Sequence, residues 1–268
     1  MGEIVKGQNI LERLVETYAS FHSYSDTGTV DSADSPAVPI EFQTDFKRPL
    51  CFRFSWLSWH PKFGKTRPAK ETTIWSDGKQ FITSFHGEFE AAERFSLLVA
   101  GATGVSKGAV HIILNVLSPE SLGLYNPWHE MIDVRRLDDQ ALDLPDVSSS
   151  SSSNGSVRDC YCIRGTSRAV DDTDVWVEKD TFIVRRIKET SVITEQQCEE
   201  MRAFAQRPDQ VEMMVRALRK EGIAEEVIAE TIAGLATIFK PRTHFSEYTY
   251  KSVRVNQVLE DSVFIPSI

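Results

Sequence analysis

The stretch that decides the fold runs from Ile40 to Trp56 and reads IEFQTDFKRPLCFRFSW. Apolar or small side chains alternate with charged and polar ones over both halves of it. This period of two is typical of β-strands with one buried face. Pro49 interrupts the pattern between the halves, where a strand interior is not expected. The stretch therefore predicts two consecutive strands, with one face formed by Ile40, Phe42, Thr44 and Phe46 and then by Phe52, Phe54 and Trp56.

The regions on either side of this stretch extend the pattern. Apolar residues at helical spacing predict an amphipathic helix over residues 3–21, and a short strand is expected over 23–30. Downstream, Ser76-Asp77-Gly78-Lys79 separates predicted strands at 71–76 and 80–86. The Asp-Gly step favours a hairpin because glycine tolerates positive φ. A helix followed by hairpin-connected strands predicts an α+β fold with an antiparallel sheet.

The rest of the chain alternates between the two classes of element. Residues 89–118 are predicted to be helical with a break at Gly101 to Gly108, and residues 194–236 to form a helical hairpin inserted between strands. That hairpin has two interpretations: a helix pair closing one end of the core, or a movable lid over an apolar cavity. Further strands are expected at 158–166, 173–178, 181–191, 243–255 and 263–265.

One segment lacks the composition of a packed element. Residues 138–157 are acidic and then serine-rich, with six consecutive serines from Ser148 to Ser153. Such a segment has little apolar area to bury, so a mobile loop is predicted there. With this loop included, residues 1–268 are expected to form a single domain.

Composition narrows the function classes. The 268 residues carry a formal net charge of -9, with 39 acidic against 30 basic residues. An acidic chain repels phosphate, so a nucleic-acid partner is not expected. No apolar run has the length of a transmembrane helix, and the first residues lack the apolar core of a signal peptide. The chain is thus expected to be cytoplasmic, or exported with its signal trimmed, and a monomer is favoured.

Metal and cofactor sites have no support in the sequence. Cys160 and Cys162 form a C-x-C pair that would face one side of a strand, and no further ligands stand at zinc-site spacing. The six histidines are scattered, and no glycine-rich nucleotide-binding motif occurs. No metal, cofactor or catalytic constellation is therefore predicted.

Four short motifs stand in a characteristic order. Ser20-Phe21-His22-Ser23 ends the first helix, Lys47-Arg48-Pro49 separates two strands, Ser76-Asp77-Gly78-Lys79 opens another, and Val263-Phe264-Ile265-Pro266 forms a terminal strand. In this order the chain resembles the LolA/LolB superfamily, the periplasmic carrier and outer-membrane receptor of bacterial lipoproteins. The helical insertion at 194–236 departs from the carrier's pattern. The resemblance covers residues 5–86 and, more loosely, 158–190 and 243–266.

The resemblance implies a fold and a function. It implies a strongly curved, unclosed antiparallel sheet, a lipocalin-like half-barrel wrapped around plugging helices, with an apolar cavity between them. The implied function is non-catalytic binding or transport of a lipid or lipoprotein acyl group in the bacterial cell envelope. The arginine that latches the carrier's helical lid corresponds to Arg48. The candidate cavity walls are Phe42, Phe46, Phe52, Phe54, Trp56 and Trp75.

Two alternatives remain open. The concave sheet face could instead bind an envelope protein or peptide. Alternatively, Gly104-Val105-Ser106-Lys107-Gly108 matches the G-x-S-x-G pattern of serine hydrolases, with Asp174 and His244 completing a triad in the required order. That motif needs a strand running directly into the serine, and the sequence around it predicts a helix-turn-helix junction.

Overall fold

The computed structural model describes residues 5–33, 38–58, 70–85, 88–122, 128–144, 156–167, 170–220 and 222–266. The chain divides into two compact units: residues 1–190 together with 245–268, and residues 191–244. The expected insertion at 194–236 lies within the second unit. A single domain over residues 1–268 stays a prediction.

One sheet organises the first unit. Its strands are β1 (Ser23–Ser32), β2 (Ile40–Lys47), β3 (Cys51–Ser58), β4 (Lys70–Asp77), β5 (Phe81–Phe85), β6 (Glu88–Ala91), β7 (Ile132–Arg136), β8 (Gln140–Leu144), β9 (Ser156–Thr166), β10 (Asp172–Glu178), β11 (Val184–Ile193) and β12 (Arg242–Val255).

The sheet is antiparallel and open. Its order is β6-β5-β4-β3-β2-β1-β12-β11-β10-β9-β7, and β8 also pairs with β9. Strand β6 lies at one edge and β7 and β8 lie at the other, so the sheet does not close on itself. This confirms the predicted fold class, an α+β fold built on an unclosed antiparallel sheet.

Local turn chemistry explains the hairpins. Between β4 and β5, Gly78 adopts a φ of +89°, a conformation that only glycine reaches without steric cost. The Asp77 carboxylate accepts hydrogen bonds from the backbone N–H of Lys79 (2.8 Å) and Gln80 (2.7 Å). These bonds fix the turn and confirm the predicted hairpin.

Strand register defines two faces of the sheet. Phe42 lies opposite Trp56, Thr44 opposite Phe54, and Phe46 opposite Phe52. These side chains share what we call the inner face, and the residues between them form the outer face. Inner-face side chains from β4 to β11 join the helices in one buried core, so the sheet curves around those helices.

Helices of the first unit cover the inner face. They are α1 (Gly7–Ala19), α2 (Phe95–Thr103), α3 (Ala109–Ile112), α4 (Leu114–Leu117) and α5 (Pro119–Leu122). Helix α1 buries an apolar stripe of Ile10, Leu11, Leu14 and Tyr18 at helical spacing, as predicted. It packs against β7, β9 and α4. We call residues 95–122, which hold α2 to α5, the helical cover.

The second unit consists of three helices: α6 (Glu195–Ala205), α7 (Pro208–Lys220) and α8 (Glu225–Ile238). The predicted capping box is present, with Thr194 and Gln197 bonding each other's backbone N–H. Arg202 on α6 donates to the carbonyl of Phe239 after α8 (2.7 and 3.2 Å). The insertion is therefore a three-helix unit, and the predicted two-helix hairpin is wrong in that respect. Its interpretation as a lid stays a prediction.

Three segments differ from expectation. Part of the predicted loop at 138–157 is strand β8, because Leu142 and Leu144 bury against Cys160, Cys162 and Trp176 on β9 and β10. Residues 145–155 of that loop lie outside the described residues. Residues 89–91, expected to be helical, belong to strand β6, which pairs with β5. The expected terminal strand at 263–265 is mostly a 3-10 turn, Asp261–Phe264, which buries Phe264 beside β3 and β4. No helix among the described residues has the length and apolar character to cross a bilayer.

Candidate functional site

An unbroken row of aromatic rings lies on the inner face. Neighbouring rings contact along and across the strands, with centroids 5.9 Å apart for Phe42 and Phe54 and 5.6 Å apart for Phe54 and Trp56. Offset and tilted ring contacts of this kind add to the stabilisation from area burial. Five of the six predicted wall residues thus share one surface, with exposures of 5% or less: Phe42, Phe46, Phe52, Phe54 and Trp56.

The helical cover lies directly on this row. The Phe95 ring at the start of α2 meets the Phe52 ring edge-on at 5.6 Å. Leu98, Val99 and Ala102 from α2 belong to the same core. The aromatic face is therefore packed against the cover, and an apolar ligand would have to replace the contacts that the cover makes.

Trp75 is the exception among the predicted wall residues. It lies opposite Arg53 in the pairing of β3 with β4, which places it on the outer face. Its ring contacts Phe89 at 6.0 Å beside an outer-face cleft of about 460 Å³. The prediction that Trp75 shares a surface with Phe42 and Phe54 is wrong, because odd-numbered residues of β4 face away from the helices.

Arg48 connects the sheet to the ends of two helices. Its Nε donates to the carbonyl of Phe21 (2.8 Å), and its Nη2 donates to the carbonyls of Ala19 (3.1 Å) and Leu117 (2.7 Å). Ala19 and Phe21 lie at the C-terminus of α1, and Leu117 ends α4. A cation is favoured there because the unsatisfied carbonyls carry the negative end of the helix dipole. Nη1 also lies 4.0 Å from the Glu120 carboxylate of α5.

A buried acid lies beside the aromatic row. Asp26 on β1 is 2% exposed and accepts hydrogen bonds from the Tyr24 hydroxyl (2.7 Å) and the Thr44 N–H (3.2 Å). Burial raises the pKa of Asp26 to about 7, although both hydrogen bonds oppose the shift. Asp26 was not among the predicted site residues. A signal was available, since period two places it on the same face as Tyr24 and Val30.

A second acid with a raised pKa stands on β11. Glu189 lies 3.3 Å from the Tyr248 hydroxyl, which also donates to the carbonyl of Lys107 in the helical cover (2.9 Å). Burial raises the pKa of Glu189 to about 7, and its hydrogen bond with Tyr248 works against that shift. No sequence signal links these three residues, because Glu189 and Tyr248 meet through the neighbouring strands β11 and β12, and Lys107 reaches Tyr248 only through the packing of the cover.

The hydrolase motif lacks the geometry of a nucleophile elbow. Ser106 is fully buried between α2 and α3, and its hydroxyl contacts the Thr103 carbonyl at 3.4 Å. A helix precedes it where the motif requires a strand. Asp174 is held by Arg164 in a two-point ion pair on the outer face. The residues described contain no group of three His, Cys, Asp or Glu side chains arranged to bind a metal ion.

Comparisons with known proteins found solved structures at low sequence identity. No family model matches the chain, and no curated protein matches its sequence. A LolA superfamily protein from Nitrosomonas europaea is 11% identical with a TM-score of 0.32, covering 98% of both chains. A DUF1329 family protein from Desulfovibrio piger is 12% identical with a TM-score of 0.34, covering 97% of this chain and 95% of that one.

A third solved structure is a domain assigned to outer membrane lipoprotein sorting, from Vibrio parahaemolyticus. It is 8% identical with a TM-score of 0.34, covering 95% of this chain and 94% of that one. TM-scores of this size imply no shared function.

Proposed function

We propose that this chain binds the acyl chain of a lipid or lipoprotein between the inner face of its sheet and the helical cover, without chemical turnover. The observation that carries the proposal is Arg48, which holds the cover's Leu117 carbonyl beside the aromatic row. An arginine in this position stabilises the closed arrangement through bonds that can be broken without unfolding the sheet.

The energetics suit reversible binding. Each buried CH₂ of an acyl chain contributes roughly 0.8 kcal/mol, so a long chain can replace the apolar contacts of the cover. Each hydrogen bond from a charged donor contributes about 1.5–3 kcal/mol. The one Arg48 bond to the cover, to the Leu117 carbonyl, is thus a cost comparable to burying about two to four methylene groups.

The cover is built to move in segments. It consists of short helices. The junction between α2 and α3 contains Lys107 and Gly108, which both adopt positive φ (54° and 88°). Helices α3, α4 and α5 have four residues each and therefore few internal hydrogen bonds, so their stability depends on contacts with the sheet. A compartment with lipid cargo, the bacterial cell envelope, is the setting that we propose with this function.

Native mass spectrometry of protein purified from a lipid-containing host tests the proposal. We expect a bound acyl species that is recovered by organic extraction. It should be lost in Phe42→Glu, which puts a charge on the inner face, and kept in the matched outer-face variant Trp75→Glu. If Phe42→Glu does not fold, Leu98→Ala replaces it: this variant removes a contact between the cover and the aromatic row, so uptake of added lipid should be faster than in the wild type.

A mass corresponding to the protein alone, with no uptake of added lysophospholipid or triacylated lipopeptide, would overturn the proposal. Binding of the same peptide without its acyl chains would indicate the other function considered, a protein-interaction scaffold. That scaffold would also have to displace the cover, because α1 to α4 occupy the inner face.

A further inference from the structure

The Tyr248 hydroxyl stands between two acceptors. It lies 2.9 Å from the Lys107 carbonyl and 3.3 Å from the Glu189 carboxylate. A neutral phenol has one hydrogen to donate. Ser246, two residues away on β12, also forms a hydrogen bond with the Tyr248 side chain. Tyr248 can therefore satisfy the Lys107 carbonyl or an ionised Glu189, and not both.

The Lys107 end of this contact is the junction between α2 and α3. Tyr248 is 2% exposed, and its hydroxyl would be only 2.7 Å from a Cβ placed on Gly108. The hydroxyl thus lies directly under the two positive-φ residues of the cover. A bond at this point stabilises the junction between α2 and α3. It lies near the end of β1 that pairs with Tyr248, whereas Arg48 lies near the opposite end of β1.

The surroundings of Glu189 leave it little charge compensation. The titratable groups facing it are Tyr248 and Tyr250 on β12, with Asp26 on β1 and Tyr18 on α1 beyond Tyr250. From the cover comes His111, whose pKa burial lowers to about 4, so that it is neutral near pH 7. Thr173 lies opposite Glu189 on β10. Glu189 is thus the group at this junction that changes charge near neutrality.

We propose that Tyr248 is a second latch on the helical cover and that the protonation state of Glu189 sets it. A protonated Glu189 donates its hydrogen to the phenol oxygen, and the phenol hydrogen remains on the Lys107 carbonyl. When Glu189 loses its proton to solvent, its carboxylate competes for the phenol hydrogen, because hydrogen bonds to charged acceptors are stronger than those to neutral ones. The part-buried Lys107 carbonyl then loses its hydrogen-bond partner.

This regulation rests on the proposed function, since the cover is what an acyl chain must displace. It predicts a cover that is held at mildly acidic pH and released above neutrality. Proton uptake would close the half-barrel and proton loss would open it.

Hydrogen exchange tests the latch without any ligand. The quantity measured is the protection of the backbone amides of residues 106–111, relative to that of strand β3 at the same pH. We expect protection in the wild type to fall roughly tenfold from about pH 6 to about pH 8, as a single acid with a pKa near 7 ionises. In Glu189→Gln the amide donates permanently to the phenol oxygen, so protection should stay high and independent of pH. In Tyr248→Phe it should be low throughout.

Asp26→Asn is the matched control, because Asp26 is the other inner-face acid with a raised pKa and makes no bond to the cover among those described. It should keep the wild-type pH dependence. A Glu189→Gln protein that retains the pH dependence, or an Asp26→Asn protein that loses it, would overturn the proposal. Glu189→Gln decides the question by itself if Tyr248→Phe does not fold.

Uptake of a dansyl-labelled undecanoic acid separates this inference from the proposed function. Probe binding that is slower in Glu189→Gln than in the wild type above neutrality supports both. If no variant takes up the probe while residues 106–111 show the expected exchange, the latch stands and the acyl-binding function fails. If the probe binds at a rate independent of pH and of Glu189, the function stands and the latch fails.

Discussion

The guanidinium of Arg48 donates a 2.7 Å hydrogen bond to the carbonyl of Leu117, across 69 residues of chain. The same nitrogen also bonds Ala19, so one side chain satisfies carbonyls at the ends of both α1 and α4. Arg48 follows β2 directly, in the turn that leads to β3. Arg48 therefore joins the sheet, the first helix and the helical cover through one side chain at one end of the aromatic row.

Arg48→Leu should loosen the cover while leaving the sheet folded. The leucine keeps an apolar stem but leaves the carbonyls of Phe21 and Leu117 without their charged donor, at a cost of about 2–4 kcal/mol. Hydrogen exchange in residues 114–122 should rise, while the exchange of β2 and β3 stays near that of the wild type. Uptake of a dansyl-labelled fatty acid should become faster.

Arg53→Leu is the matched control for this substitution. Arg53 is similarly exposed, with 24% of its side chain accessible against 30% for Arg48, but it pairs with Asp45 on the outer face. Its loss should leave exchange in residues 114–122 unchanged. Equal loosening of the cover in both variants would show that Arg48 contributes general stability and no specific hold on α4.

The buried acid Asp26 should make the first unit less stable as the pH rises. Its pKa of about 7 in the folded protein lies above the ordinary value of 3.8, so folding takes up a proton between these values. Its contribution to the free energy of unfolding is therefore largest below about pH 4 and is lost as the pH rises towards 7. Asp26→Asn keeps the shape and cannot ionise.

We expect the stability of Asp26→Asn relative to the wild type to improve steadily from about pH 4 to about pH 7. Urea unfolding followed by tryptophan fluorescence measures this difference. The five tryptophans of the chain (positions 56, 59, 75, 128 and 176) all belong to the first unit, so the signal reports that unit alone. A difference that does not change with pH would mean that Asp26 is ionised at all these values.

Period-two alternation predicts much of the fold. It predicts that Phe42 and Phe46 share a face, and the Asp77-Gly78 step predicts the β4–β5 hairpin, because both are local properties of the backbone. The face of the sheet on which Trp75 lies, relative to Phe54, cannot be predicted in this way. It depends on how β3 and β4 align across residues 59–69, and the sequence between two strands does not encode that register.

The polar groups of the site also include some that the sequence identifies and some contacts that it does not predict. Arg48 is identified by its place in a motif, but its helix partners depend on where the cover packs. The contact of Tyr248 with Glu189 joins residues 59 positions apart, and that with Lys107 spans 141. Such pairs follow from the order of strands in the sheet, for which local sequence has no signal.

Substitutions of two aromatic residues on neighbouring strands should separate the two faces of the sheet. Phe54 is fully buried among inner-face rings, so Phe54→Ala should cost about 3–5 kcal/mol through lost burial and a cavity. Trp75 is half-buried at an outer-face cleft, and Trp75→Ala should cost about 1 kcal/mol. Urea midpoints of the two variants, with tryptophan fluorescence as the signal, check the difference. Similar losses would place both residues in one core.

The outer face carries a buried ion pair that should make the protein sensitive to acid. Arg185 donates two hydrogen bonds to Glu178 (2.6 and 3.1 Å), and both side chains are less than one-tenth exposed. Burial by itself would raise the pKa of Glu178. Hydrogen bonds from Arg185 and Thr181, with the charges of Arg185 and Arg158, instead hold that pKa below its usual value.

The pKa of Glu178 is lower in the folded protein than in the unfolded chain. The Glu178 carboxylate therefore stabilises the fold at pH values above its pKa in the unfolded chain. This stabilisation is lost as the pH falls through its pKa in the folded protein. Glu178→Gln leaves the Arg185 charge buried without its partner and should cost about 3–5 kcal/mol at neutral pH. As the pH falls through the folded pKa, the wild-type carboxyl becomes neutral, so the two proteins should converge in stability. Urea unfolding at neutral and acidic pH measures this convergence. A cost that stays constant between the two conditions would mean that Glu178 contributes through shape and uncharged hydrogen bonds, and that acid unfolds the protein elsewhere.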